Sequence, residues 1–120
     1  MNNELYIHTN GVLISRRLIT HENGTALTPV EVQSVTLNVY KLTMGTGGLY
    51  ERKLLSTANL TPSDVVTATV ETDSNGVQYN FNYCVENAFT LTNTLYLVEY
   101  IITDGAGHRV IITAKGRTQD

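Results

Sequence analysis

The sequence predicts an all-β sandwich, and three observations carry that expectation. Val77, Tyr79, Phe81, Tyr83 and Val85 alternate with Gln78, Asn80, Asn82, Cys84 and Glu86, the period-two signature of a strand with one buried face. Tyr96, Val98, Tyr100 and Ile102 share one face of a long apolar strand, Asp104-Gly105-Ala106-Gly107 turns the chain, and Val110, Ile112 and Ala114 return. Turn signals recur about every 8–12 residues with no long helical pattern between them, the spacing of a sandwich.

The elements follow in chain order. Leu5-Tyr6-Ile7-His8 reads as a short strand, and Asn10-Gly11 as a hairpin signal leading into an extended Val12–Ile19. His21-Glu22-Asn23-Gly24-Thr25 is a turn, and Pro29 makes Leu27–Gln33 an edge or a connection. In the strand Ser34–Leu42, Val35, Leu37 and Val39 point one way and Thr36, Asn38 and Tyr40 the other. Thr43–Gly48 is a flexible loop, and Leu49–Leu55 a strand despite the helical spacing of Tyr50 and Leu54. Thr61-Pro62-Ser63-Asp64 opens one helical turn near Thr61–Val66: Thr61 is placed to cap, Pro62 suits the first helical position and Asp64 a capping box. Thr67–Thr72 is extended again, Asp73-Ser74-Asn75-Gly76 turns into the Val77–Val85 strand, and Asn87–Asn93 connects to the final hairpin. This gives seven to eight strands in two mostly antiparallel sheets, with residues 1–10 an N-terminal arm or edge strand, 11–116 the sandwich and 117–120 a tail. The last two long strands are expected side by side. Tyr96, or alternatively Tyr100, is placed to bond upstream backbone as a tyrosine corner.

With 120 residues the chain suits one domain, large enough to bury roughly two-thirds of its unfolded surface. Its seven Tyr and only 16% charged residues argue against disorder. A net charge of −3, with basic residues scattered as Arg16-Arg17, Arg52-Lys53, Lys115 and Arg117, offers no stripe for nucleic acid. The N-terminus has no basic segment followed by an apolar run, so no signal peptide is expected, and no window reaches the ~20 apolar residues of a membrane span. Without export, the sequons at Asn23 and Asn59 are expected to stay unmodified. Cys84 is the only cysteine, without a cationic neighbour, and reads as a small packed side chain.

The chemistry-bearing residues assemble no reaction. His8, His21 and His108 lie far apart at expected turns, without the close ligand pairs of a zinc site, and read as solvated. Asp73-Ser74-Asn75-Gly76 lacks the later ligands of a calcium loop, and Gly45-Thr46-Gly47-Gly48 lacks the helix that completes a phosphate cradle. No Gly-x-Ser-x-Gly elbow is present. Glu99 interrupts an apolar strand, on the face of Leu97 and Ile101, and needs a cationic partner if covered, with Arg109 the cross-strand candidate. No catalytic, cofactor-binding or metal-binding residue is therefore assigned, and the expectation is a protein that is not an enzyme.

The run Tyr96-x-Val98-x-Tyr100 followed by Thr103-Asp104-Gly105-Ala106-Gly107 resembles the last hairpin of bacterial and phage immunoglobulin-like domains. Together with Val35–Tyr40, Leu60–Val66 and Tyr79-Asn80-Phe81, it is similar to small head, neck or tail accessory proteins of tailed bacteriophages. The chain lacks the paired Cys and core Trp of antibody-type domains, so an antibody-like role is not implied. The resemblance implies an immunoglobulin-like sandwich and a non-enzymatic structural protein of a virion. Its partners would be other virion proteins and copies of itself, with no nucleic acid or membrane. Made in the host cytoplasm, it would dock through Met44, Leu49 and Tyr50 around the Gly loop, while the N-terminal residues add a strand to a neighbour. A stand-alone carbohydrate- or surface-binding module, using exposed coplanar Tyr rings, is the alternative.

Overall fold

A computed structural model describes residues 5–119. It contains eight strands in two sheets, one short helix and two 3-10 turns. The strands are β1 Leu5–His8, β2 Leu13–Arg17, β3 Val32–Met44, β4 Tyr50–Leu60, β5 Val66–Thr72, β6 Gln78–Val85, β7 Leu95–Asp104 and β8 Arg109–Gln119. The larger sheet runs β1-β8-β7-β3-β4 and the smaller β2-β6-β5, so the fold is an all-β sandwich. All pairings are antiparallel except β1 on β8. Chain order mapped on sheet order is the immunoglobulin arrangement: the second, fifth and sixth strands form one sheet and the third, fourth, seventh and eighth the other.

The core lies between the sheets. Tyr96, Val98, Tyr100 and Ile102 of β7 are buried there with Val35, Leu37 and Val39 of β3 and Ile112 of β8, meeting Leu13, Phe81 and Val85 from the smaller sheet. Phe81 stands edge-on to Tyr100 with ring centroids 4.8 Å apart, and Phe89 edge-on to Tyr96 at 5.1 Å. Tyr96 is the corner tyrosine: its hydroxyl accepts the Leu91 amide at 3.0 Å. Thr118 donates its hydroxyl to the Leu91 carbonyl, so two buried side chains satisfy both backbone groups of one loop residue. Tyr100 instead ends in a buried hydroxyl beside that of Ser15, neither in hydrogen-bond geometry with a partner among the described residues, and burial pushes its pKa up to about 12, with the neighbouring Ser15 hydroxyl acting against the rise.

Several local expectations change. Asn10-Gly11 forms no hairpin: β1 and β2 lie in different sheets, and the turn, with Asn10 at φ 63°, carries the chain from one to the other. The driving contact is on β8, where Gly116 has no side chain and Ile7 fills the space, becoming buried. Residues 5–8 thus pair with their own chain; residues 1–4 of the expected arm, and residue 120, lie outside the described residues. Arg117–Gln119, expected as a tail, belong to β8, and Thr118 is fully buried. The helical turn is present as α1, Pro62–Val65, but Thr61 makes no side-chain cap bond. The capping pair sits instead at Thr28 and Glu31, where Glu31 Oε1 accepts the Thr28 amide at 3.0 Å. In β6 the alternation holds for Phe81 and Val85, but Val77 is exposed ahead of the strand and Asn80, on the polar face, is fully buried.

Candidate functional site

β3 and β4 form a long antiparallel pair, ten registered partners from Val35↔Leu60 to Met44↔Tyr50. The smaller sheet has only three strands and does not reach β4, so every β4 residue from Tyr50 to Asn59 is exposed. β4 is also a sheet edge, with one row of backbone groups unpaired by any strand among the described residues. The register shifts at Val39/Tyr40, opposite Leu55, which places a bulge in the middle of this edge. Met44, Leu49 and Tyr50 cluster at the hairpin end with exposures of 60, 74 and 44%. The Gly loop there is a 3-10 turn, Thr46–Gly48, in which Gly47 and Gly48 take φ near +80°, a conformation side chains rarely adopt.

The outer face of the larger sheet carries a second, small apolar cluster of Leu42, Leu95 and Leu97, with Tyr40 packed against it. Glu99 lies beside it, its side chain only 13% exposed. Arg109 is not its partner: β8 places Thr113 opposite Glu99 and Arg109 opposite Thr103. Glu99 instead accepts Asn38 Nδ2 at 3.1 Å and the Tyr40 hydroxyl at 3.3 Å, and pairs with Arg52 at 3.7 Å from the edge strand. Burial, followed by the Glu99 charge, raises the pKa of Tyr40. Thr57 donates to Asn38 Oδ1 at 2.7 Å, so a polar ladder crosses β4, β3 and β7.

At the opposite end, the 18–31 segment and the β7–β8 turn wall a cleft of about 740 Å³ over Leu27, Ile102 and Val110. Asn80 fixes the first wall: its Oδ1 accepts the Ile19 amide at 2.7 Å, and its Nδ2 donates to the carbonyls of Ile19 and Leu27, both at 2.9 Å. Two imidazole–carboxylate pairs line the cleft, His21 Nε2 with Glu31 at 2.7 Å and His108 Nδ1 with Asp104 at 3.1 Å. Hydrogen bonds from the Thr28 hydroxyl and amide and from His21 hold Glu31 below the usual carboxylate range. For Asp104, burial pushes upward, but the His108 amide, the His108 ring and the Ala106 amide outweigh it, and its pKa is also lowered. Each carboxylate is thereby committed to the protein itself: Asp104 Oδ1 accepts the Ala106 and His108 amides at 2.9 Å, and Oδ2 faces the ring. Asp73 ties its own turn in the same way, accepting the Asn75 and Val77 amides at 2.8 and 2.9 Å.

Sequence distance hid what the fold joins. His21 and His108 share one cleft, while His8 stands apart at the end of β1. Among the described residues, no group of three His, Cys, Asp or Glu gathers closely enough to hold a metal ion. Cys84 is half-buried, its thiol 4.0 Å from Glu86. The tyrosines form no open platform: Tyr40 lies under Arg52, Tyr79 under Arg16 and Tyr50 beside Lys115, while the exposed Tyr6 sits at the far edge of the sheet from Tyr50. Asn80 carries no signal in the sequence beyond being one Asn among alternating polar residues, because its partners lie 53 and 61 positions away. No helix among the described residues is long and apolar enough to cross a membrane. Compared with known proteins, the chain matches no family model, no curated protein and no solved structure.

Proposed function

We propose that this chain is a non-enzymatic docking module that couples to other protein subunits through the end of the β3–β4 hairpin. The observation that carries the reading is an eleven-residue edge strand exposed along its length, ending in exposed Met44, Leu49 and Tyr50. Left in water, such an edge is a template for pairing, and an apolar tip beside it supplies an anchor. A stable contact needs on the order of 800 Å² per partner, which a tip alone does not supply but a tip with its flanking strand does. The setting that the resemblance to phage accessory proteins supports is a virion, with the chain seated on a symmetric shell, neck or tail.

The test is to image purified particles carrying this chain and the same particles carrying Met44→Ser/Leu49→Ser/Tyr50→Ser. Density for the chain, contacting its neighbour through the hairpin and missing for the folded triple variant, is the expected result. A chain that stays monomeric and is absent from every particle overturns the reading.

A further inference from the structure

Strand directions divide the molecule into two ends of opposite charge. Register puts the β3–β4 turn, the start of β7 and the end of β8 together, since Leu42 faces Leu95 and Leu95 faces Arg117. That end carries Lys41, Arg52, Lys53, Lys115 and Arg117 against Glu51, Glu86 and Glu99, the last paired with Arg52. The other end carries the β7–β8 turn, the β5–β6 turn and the cleft, with Glu22, Glu31, Glu71, Asp73 and Asp104 against Arg109 and, at the end of β2, Arg16 and Arg17, Arg16 lying over the Tyr79 ring. Cations therefore outnumber carboxylates five to three at one pole, and carboxylates outnumber Lys and Arg five to three at the other.

Two further features fit the basic pole to an anionic surface. Lys41 and Lys53 face each other directly across β3 and β4, and neither has an ion pair among the described residues. Like charges opposed across a strand pair cost stability, and an anionic surface placed over them removes the cost. Both poles also present exposed apolar side chains: Met44, Leu49 and Tyr50 at the basic end, and Val30, 95% exposed, with Val77 at the acidic end.

We propose that the partner of the hairpin end is the acidic end of a second copy of this chain, in a head-to-tail contact. The inference rests on the docking reading above and names its partner. A two-fold contact through the hairpin ends would set two net-positive surfaces against each other and is disfavoured by the same charges. A head-to-tail contact is heterologous, so it propagates into rings or filaments. Steering between the poles acts over about 10 Å at 0.1 M salt and vanishes at higher ionic strength.

Sedimentation velocity on the full chain tests this. In 20 mM NaCl the average mass rises above the 13.2 kDa monomer as concentration increases, and returns to it in 0.5 M NaCl. Lys41→Glu/Lys53→Glu, which reverses one pole, and Glu22→Lys/Glu71→Lys, which reverses the other, each weaken association at least tenfold. Mixed together they associate again, because each retains the pole the other needs. Lys53→Glu alone, which converts the opposed lysines to an ion pair and so preserves the fold, weakens association several-fold. A wild type that stays monomeric at millimolar concentration in low salt, or variants that associate undiminished, or a mixture that stays monomeric, overturns the inference. A monomeric chain still found in particles through its hairpin would sink self-assembly and leave the docking reading standing.

Discussion

β4 and β7 belong to one sheet and have similar lengths, but they do opposite work. β7 lies between β3 and β8 and sends Tyr96, Val98 and Tyr100 into full burial. β4 lies one strand away, pairs on one side, and leaves its side chains in water. Burying a large side chain contributes roughly 1.5–3 kcal/mol, so β7 carries the stability and β4 contributes little beyond its ladder. A long edge that the fold does not need for its core is the surface the proposed docking uses. The bulge at Leu55 breaks its flatness, which limits indiscriminate pairing.

The contrast breaks most visibly at two tyrosines. Tyr100→Ala, in the centre of β7, is expected to cost about 3–5 kcal/mol in urea unfolding, against under ~1 kcal/mol for Tyr50→Ala on the edge. Equal losses would mean that the hairpin end is part of the core. Next in size is Asn80→Ala, which strands the Ile19 amide and the Ile19 and Leu27 carbonyls. A loss of about 2–4 kcal/mol is expected, with faster amide exchange across residues 18–31. Exchange unchanged there would show that the cleft wall is held by other contacts.

A finer comparison lies within β7 itself. Tyr96→Phe removes the acceptor for the Leu91 amide and is expected to cost about 1–2 kcal/mol, whereas Tyr100→Phe removes an unpartnered hydroxyl and shifts stability by under ~1 kcal/mol at neutral pH. The reverse order in thermal unfolding would move the corner to Tyr100. The smallest effect concerns acid. Glu31 and Asp104 both have folded-state pKa values below their ordinary ones. Their contribution is therefore fully present above the unfolded carboxylate range, near pH 4, and is lost as pH falls through the lowered values. Glu31→Gln and Asp104→Asn should each flatten the stability profile below about pH 4 and leave its neutral-to-alkaline part unchanged.

Much of this architecture was legible in the residues. The alternation of β7 fixes its buried face, the Asp-x-x-Gly turns end their strands where their side chains satisfy local amides, and Pro62 starts α1. These signals are local, so they survive without tertiary knowledge. What failed was non-local. Asn10-Gly11 has hairpin chemistry, but Ile7 finds its space over Gly116, more than a hundred residues away, and takes β1 to the other sheet. Glu99 was readable as a carboxylate in need of a cation, yet the choice of Arg52 over Arg109 depends on register between three strands. For the candidate sites, the exposed tip residues were readable from their neighbouring glycines. The cleft was not, because His21 and His108 meet only after both sheets have formed.

Hydrogen exchange, compared between the free chain and its assembled form, tests the division of labour between hairpin and core most directly. The account predicts protection gained across residues 43–55, with β7 amides slow in both states. Protection gained elsewhere while residues 43–55 exchange as fast as in the free chain would contradict it.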